Sequence, residues 1–396
     1  MTGFTGHVPG SREYRRLLAG LFFAGIATFA QLYSPQAVLP LLAAEFDVSP
    51  ATAALAVSAA TLGLAVAVIP WSIVADRIGR VQAMTIGIVA ATALGLAAPL
   101  SADVATLLVL RLAEGAALGA VPALALAYLS EEVDPRHAAA AAGSYIAGTT
   151  LGGLSGRLVS GPIADLAEWR TGLWATAVLC AAAAVAFLLL VPRARGFTPL
   201  VRGGARIATR LAVNLRSPSQ LALYAQGFLL MGAFVAMYNY LGFHLTHPPF
   251  SLPGWIVTSL FVAYLAGTVS SPWAGTLASR HGRLPVLLVS TAAMAVGTAL
   301  MLVPIVLVIL GGLVVMTAGF FGAHAVASGW APASARPDTR AQASSLYYLG
   351  YYGGSSLFGW SLGYVFDAAG WGVFLGVVVA MCGGAAVLAI GALRKH

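Results

Sequence analysis

The chain repeats itself at a spacing of about 202 residues, and the repeat shows in its rarest residues. Asp76-Arg77-Ile78-Gly79-Arg80 returns as Ser279-Arg280-His281-Gly282-Arg283, Pro135-Arg136-His137 as Pro337-Asp338-Thr339, and Asp165 with Trp169 as Asp367 with Trp371. A period of about half the 396 residues means one structural unit used twice, which has to be settled before any element is assigned. Whatever breaks the match between the copies then becomes a candidate for function.

Hydrophobic residues make up 59% of the chain and charged residues 9%, far from the roughly 25% charged share of a soluble domain. Apolar runs long enough for a hydrocarbon core of about 30 Å fall near 17–43, 51–75, 81–100, 104–130, 138–164 and 171–191. A second six fall near 219–245, 253–278, 284–303, 305–335, 340–366 and 371–392. The expected fold class is an all-α membrane protein of 12 transmembrane helices in two pseudo-symmetric six-helix bundles. The bundles are 1–192 and 219–396, joined by a basic linker over 193–218. In such two-fold repeats a solute sits between the halves.

A net charge of +8 would suggest nucleic acid in a soluble protein, but the positions of the cations give a topology instead. Arg12, Arg15, Arg16, Arg77, Arg80, Arg136, the cluster Arg193, Arg195, Arg202, Arg206, Arg210 and Arg216, then Arg280, Arg283, Arg336, Arg340, Arg394 and Lys395 all fall on one side. Arg170 stands on the other. The positive-inside rule puts that basic side, with both termini, in the cytoplasm. The linker arginines can also touch anionic lipid heads. The first apolar run is too long for a signal peptide and shows no clear cleavage site, so it is the first span. Cys180 and Cys382 lie within apolar runs at repeat-related positions, where a thiol behaves as a small hydrophobe; neither a disulfide framework nor a metal site is expected.

Ser72-Ile-Val-Ala-Asp76-Arg77-Ile-Gly79-Arg80 joins the second and third spans on the basic side, and Gly275-Thr-Leu-Ala-Ser279-Arg280-His-Gly282-Arg283 stands at the same place in the second copy. This pair resembles the signature loop of the major facilitator superfamily, Gly-x-Leu-Ala-Asp-Arg-x-Gly-Arg. Ser72 replaces the leading Gly in the first copy, and Ser279 replaces the acid in the second. Gly79 suits a tight turn. The resemblance implies that Asp76 helps hold the outward-open state by bridging the halves toward the start of the eleventh span, near Asp338 and Thr339. The plainer reading makes Arg77 and Arg80 topology anchors, and the two readings are compatible.

Three charged residues remain inside spans: Arg111, Glu114 and Arg157. Intramembrane charge is a functional hypothesis by default. At 1.5 Å per residue, Arg111 and Arg157 lie at matching depth, roughly 10 Å from the outer ends of their spans, with Glu114 one turn deeper than Arg111 on the same face. Arg111-Leu-Ala-Glu114-Gly115 resembles the fourth-span pattern Arg-x-x-Gln-Gly of proton-coupled superfamily members, with Glu where Gln is usual. Gln cannot titrate and Glu can. Two readings stay open: Glu114 as a proton carrier, or a permanent Arg-Glu-Arg triad pinning the fourth span to the fifth. In either, two cations against one anion disfavour lipophilic cations as substrate.

The fifth span, Gly148-x-x-x-Gly152-Gly153-Leu-Ser-Gly156-Arg157, is a small-xxx-small run that allows close helix approach. With Tyr33-Ser-Pro35-Gln36 and Ala127-Tyr128-Leu-Ser-Glu131-Glu132 it resembles a bacterial branch of sugar and drug exporters. That implies a multi-pass protein of the bacterial cytoplasmic membrane, monomeric by default, driven by the proton gradient with no cofactor.

Pro35 and Pro40 interrupt the first span, and irregular backbone at membrane depth belongs beside a cavity or inside protein. Gln31, Tyr33 and Gln36 flank the break. Gln36 matches Asn239, beside Tyr238 and Tyr240. With Tyr128, His324 and Tyr351 these are the candidate substrate-binding residues, aromatic walls with a few polar groups being what small-molecule sites use. The competing reading for each tyrosine is helix packing or an interfacial belt, and for His324 a hydrogen-bonded packing residue. His244 and His247 are expected at the outer interface.

The expected function is secondary transport of a small organic molecule by alternating access, as proton-coupled efflux of a sugar-like, drug-like or other neutral or anionic compound. Proton symport or facilitated uptake is the alternative, and a non-transporting membrane receptor on the same fold a remote one. The partners are the solute, protons and membrane lipids, with no nucleic acid. The chain lacks a paired-His metal motif, a nucleophile with a base at useful spacing and a Walker loop, so it does not read as an enzyme or an ATP-driven pump.

Overall fold

The computed structural model describes residues 6–196 and 204–394, without the side chains of 139, 140, 204–208 and 338. Arg202 and Lys395 of the basic set, and the side chains of Arg206 and Asp338, therefore lie outside the described residues. The fold is all-α. In the first copy, α1 (Arg12–Tyr33) ends in a 3₁₀ turn at Ser34–Ala37 and resumes as α2 (Leu39–Glu45). There follow α3 (Pro50–Ile78), α4 (Arg80–Ala97), α5 (Val104–Leu118), α6 (Ala120–Glu132), α7 (Ala138–Leu166) and α8 (Trp169–Leu190). After the linker helix α9 (Gly204–Leu215) come α10 (Pro218–Thr246), α11 (Gly254–Ser259), α12 (Leu265–His281), α13 (Arg283–Leu300), α14 (Val306–Ser334) and α15 (Arg340–Leu393). Ten helical stretches among the described residues are long and apolar enough to cross a membrane. The last two apolar runs of the sequence share one of them, α15, which bends at Gly370, where φ is +74°. The run at 138–164 is helical, as α7, but is not among the ten.

Local chemistry accounts for the element ends. Ser11 caps α1 by accepting from the Tyr14 N–H at 3.2 Å. Asp103 caps α5, accepting from the Thr106 N–H at 2.8 Å and its hydroxyl at 2.9 Å. Those bonds hold the Asp103 carboxyl below the usual carboxylate range. Between α3 and α4, Gly79 takes φ +94° and ψ 153°, and between α12 and α13 Gly282 takes φ +88° and ψ 156°. This is a region open essentially to glycine, so the repeat seen in sequence is also a repeat in backbone conformation. Gly79→Ala and Gly282→Ala are each expected to cost about 1–3 kcal/mol, read as a lower melting temperature in detergent. An unchanged midpoint in both would show that the turns relax freely.

One further feature repeats at the same period. Pro70-Trp71 and Pro272-Trp273 stand inside α3 and α12. Outside that register each unit also has an indole bonded to a helix-end carbonyl, Trp174 Nε1 to that of Leu96 and Trp371 Nε1 to that of Met301, both at 3.1 Å.

The chain divides into two compact units. One takes in the chain up to Leu42 and from Ala59 to the linker; the other takes in Ala43–Ser58 and the chain past the linker. The segment Ala43–Ser58 groups with the second unit because small groups meet there. The Ser356 hydroxyl donates to the Ser58 carbonyl at 2.8 Å, and a methyl on Gly363 would come 2.6 Å from the Ala51 Cα. A boundary at residue 192, drawn from apolar runs, does not register this exchange of one helix end.

In the first unit α1 runs against α7, where methyl groups added to Gly148, Gly152 or Gly156 would overlap the backbone of α1. In the second, Gly354 stands the same way against the Phe228 carbonyl of α10. The stretch expected as a plain linker contains α9, which is docked by a buried Asn214 whose Nδ2 donates to the Thr339 carbonyl at 3.2 Å. At the Glu132 end of the first unit, His7 pairs with Val133 as a short bridge, and its N–H donates to the Glu132 carbonyl at 2.7 Å. The buried Glu132 carboxylate accepts from the Arg195 and Gly196 N–H groups, both at 2.6 Å. The entry to the linker is thus clasped to the end of α6.

Candidate functional site

The site begins with a missing hydrogen. Pro35 has no N–H, so the carbonyl one helical turn before it, that of Gln31, has no intrahelical donor. Arg111 Nη1, from α5, donates to that carbonyl at 3.2 Å, and the Ser34 hydroxyl donates to it at 3.2 Å as well. Arg111 Nη2 donates to the Leu32 carbonyl at 2.7 Å. One guanidinium therefore satisfies two backbone acceptors at the break in the first span, while also forming a buried ion pair with Glu114 Oε2. The two side chains are 2% and 0% exposed, which puts the pair wholly in the low-dielectric interior.

The Gln31 side chain donates from Nε2 to the Ala91 carbonyl of α4. Gln31, Ser34, Arg111 and Glu114 border a small cavity closed by Gly95 and Ala98 on one side and Leu173, Thr176 and Ala177 on another. Position is set by close packing below it. Methyls on Gly63 or Gly115 would overlap the facing backbone where α3 meets α5, and Trp71 Nε1 donates to the Ala116 carbonyl at 2.8 Å beside the α5–α6 break.

Arg157 reaches the same break from α7. Its Nε donates to Gln36 Oε1 at 2.8 Å, its Nη1 to the Gly153 carbonyl at 2.5 Å, and its Cζ lies 4.6 Å from the Tyr33 ring centre. Ser160 donates to the Ser34 carbonyl at 2.9 Å. The expected trio is thus arranged around α1: Arg111 holds Glu114 and the Gln31 and Leu32 carbonyls, and Arg157 holds Gln36. Ser34 and Thr176 complete the polar lining of the cavity, and Ser160 supports the turn from α7; none was singled out in the sequence, where single hydroxyls among apolar residues carry no signal. Tyr128 lies elsewhere. It is fully buried near the end of α6, and its hydroxyl donates to the Pro192 carbonyl at 2.9 Å.

In the second unit the candidate residues fall into two groups. Asn239 Nδ2 and the Tyr240 hydroxyl both donate to the Gly359 carbonyl at 2.9 Å, binding α10 to α15. The Tyr238 hydroxyl bonds the Thr317 hydroxyl at 2.8 Å, and its ring stacks on Phe261 with centroids 5.3 Å apart. His324 Nδ1 bonds the Tyr347 hydroxyl at 2.9 Å, and its ring lies 4.8 Å from that of Tyr351. The sequence named His324 and Tyr351 but not Phe320, which is stacked against both the Phe234 and His324 rings.

The loop motif forms its own network. Asp76 Oδ1 accepts from Arg80 Nη1 at 2.7 Å, and Arg80 Nε reaches Glu131 Oε1 at 3.1 Å. Arg77, Arg280 and Arg283 are exposed, the last with its Cζ 6.0 Å from the Trp330 ring. A side chain at Gly275 would meet nothing within 4 Å, so that glycine is not required by close approach. The expected target of Asp76 includes the Asp338 side chain, which is outside the described residues; the Thr339 hydroxyl bonds the Arg336 carbonyl at 3.2 Å.

The family description Major Facilitator Superfamily matches residues 21–253. The chain is 37% identical over 373 residues to the inner membrane transport protein YnfM of Escherichia coli strain K12, covering 93% of this chain and 89% of that protein. It is 35% identical over 369 residues to the uncharacterized MFS-type transporter YybF of Bacillus subtilis strain 168, covering 93% and 90%. Among solved structures, a mutant form of the nucleoside transporter NupG superposes with a TM-score of 0.78 at 15% identity, covering 96% of this chain and all of that one (100%). A bacterial homologue of the lysosomal transporter Spinster, in an inward-facing and occupied conformation, superposes with a TM-score of 0.77 at 16% identity, covering 98% of each.

Proposed function

Because the chain belongs to the Major Facilitator Superfamily of membrane transporters, we propose that it exports a small neutral or anionic organic molecule across a bacterial cytoplasmic membrane in exchange for protons. The observation that carries this reading is Glu114, a carboxylate with no exposed surface, paired with Arg111 at the break in the first span. A buried, titratable carboxylate beside a cavity is the group that can take a proton in one state and lose it in another.

The consequence of a proton at Glu114 follows from what Arg111 touches. With Glu114 ionised, the guanidinium is shared between the carboxylate and the Gln31 and Leu32 carbonyls. With Glu114 protonated, the pair carries a net positive charge, and the guanidinium keeps only the backbone of α1 as strong acceptor. Protonation on Glu114 is thereby transmitted to the turn at Ser34–Ala37, where Gln36 ties the first span to Arg157 on α7. Two cations against one carboxylate also make the first unit a poor host for a lipophilic cation.

Direction is tested in proteoliposomes loaded with a transported solute under an imposed pH gradient. With the outside acid, exchange drives the solute out as protons enter. Accumulation of solute together with protons under the same gradient would establish uptake by symport in place of export.

A further inference from the structure

We infer that the second unit presents a recognition wall for a planar aromatic ligand bearing a hydrogen-bonding ring substituent, built from His324, Phe320, Tyr348 and Tyr351. This rests on the transporter reading for its role, and it names the substrate class. At 1.5 Å per residue, His324 stands about 15 Å along α14 from Ser334, and Tyr351 about 17 Å along α15 from Arg340. The wall is therefore deep in both helices, away from the interfacial positions where tyrosines serve as anchors.

The packing of the rings distinguishes wall from core. Phe320 and Tyr347 are buried, whereas His324, Tyr348 and Tyr351 each keep part of their surface accessible. The His324 ring lies nearly parallel to Phe320, with centroids 6.0 Å apart and planes at 12°. Tyr351 lies 4.8 Å from His324 at 44°, and Tyr348 meets His324 at 6.3 Å and Tyr351 at 6.0 Å, both edge to face. The buried rings thus hold the half-buried ones in fixed orientations, and the part of each half-buried ring that stays accessible is what a flat guest would meet.

The polar element is one atom. His324 Nδ1 is committed to the Tyr347 hydroxyl, and Nε2 meets no hydrogen-bonding group among the described residues. When Tyr347 donates to Nδ1, Nε2 carries the proton and offers a donor to a carbonyl or carboxylate; in the other tautomer it accepts from a phenol. No carboxylate belongs to the wall, so a cation would be met by ring faces without a counter-charge. A non-aromatic sugar would leave the flat faces without a partner.

The test is calorimetric titration of the detergent-purified full chain with 4-hydroxybenzamide, which is flat and uncharged. Its saturated analogue 4-hydroxycyclohexanecarboxamide, a hexose and benzyltrimethylammonium serve as comparisons. The expected result is that 4-hydroxybenzamide binds at least about tenfold more tightly than the other three. His324→Phe keeps the stack and removes the polar atom, and should weaken binding roughly tenfold. Tyr351→Leu removes a ring face and should weaken it by a similar factor, about tenfold. Melting curves of both variants confirm that they are folded. Equal affinity for the saturated analogue, preference for the cation, or no loss in either folded variant overturns the inference. Proton-driven flux of a non-aromatic solute unaffected by both variants would overturn the wall while leaving the transporter reading intact. Binding of 4-hydroxybenzamide without any flux under a pH gradient would do the reverse.

Discussion

Replacing Arg111 by methionine will destabilise the protein by about 3–5 kcal/mol, the cost of leaving a buried charge without its partner. The guanidinium does three things at once: it neutralises Glu114 and donates to the Gln31 and Leu32 carbonyls. Methionine fills much of the volume and does none of them, and an unsatisfied carbonyl in a water-free interior adds to the loss. Arg111→Lys should recover only part, because one ammonium cannot reproduce the fork that serves two carbonyls and a carboxylate together. The double variant Arg111→Met with Glu114→Gln should melt above Arg111→Met alone, since it removes the stranded charge. Thermal melts in detergent read all three. A melting point for Arg111→Met equal to that of the unaltered protein would mean that the break in α1 does not depend on this cation.

Glu114→Gln is expected to leave the fold and solute binding in place while removing the response to a pH gradient. Gln keeps the size and can still accept from Arg111, so the loss of stability should stay well below that of Arg111→Met. What disappears is titration. Solute counterflow, which needs only the rocking of a loaded carrier, should persist, and accumulation against a gradient should not. If Glu114 were only a pin between helices, Gln would slow or destabilise the carrier without altering its pH dependence.

Much of the fold was legible because a membrane leaves few solutions. The apolar runs predicted the helices, the proline pair predicted the interruption after Tyr33, and Gly79 predicted a turn that adopts positive φ, a conformation its repeat partner Gly282 shares. The helix α9 was hidden because Gly203-Gly204 and a run of arginines read as linker, and what holds it, Asn214 against Thr339, is a contact 125 residues apart. The grouping of Ala43–Ser58 with the second unit was hidden for the same reason: small residues announce close packing but not the partner.

At the candidate site, the charged residues stood out because charge is rare in these spans. Their partners did not. Depth arithmetic placed Arg157 level with Arg111, but only the folded backbone assigns Arg157 to Gln36 and Arg111 to the Gln31 carbonyl that Pro35 strands and to that of Leu32. Asn239 and Tyr240 looked like ligand groups because polar atoms at membrane depth need partners, and here their donors go to the Gly359 carbonyl.

The most direct test of the account is the steady-state solute ratio in proteoliposomes held at a fixed pH difference. For one-to-one exchange through Glu114, one pH unit supplies about 1.4 kcal/mol, enough for roughly a tenfold solute gradient directed out of the acid-outside vesicle. That ratio is expected for the unaltered protein and a ratio near one for Glu114→Gln. A ratio near one in the unaltered protein, or an undiminished gradient in Glu114→Gln, would contradict it.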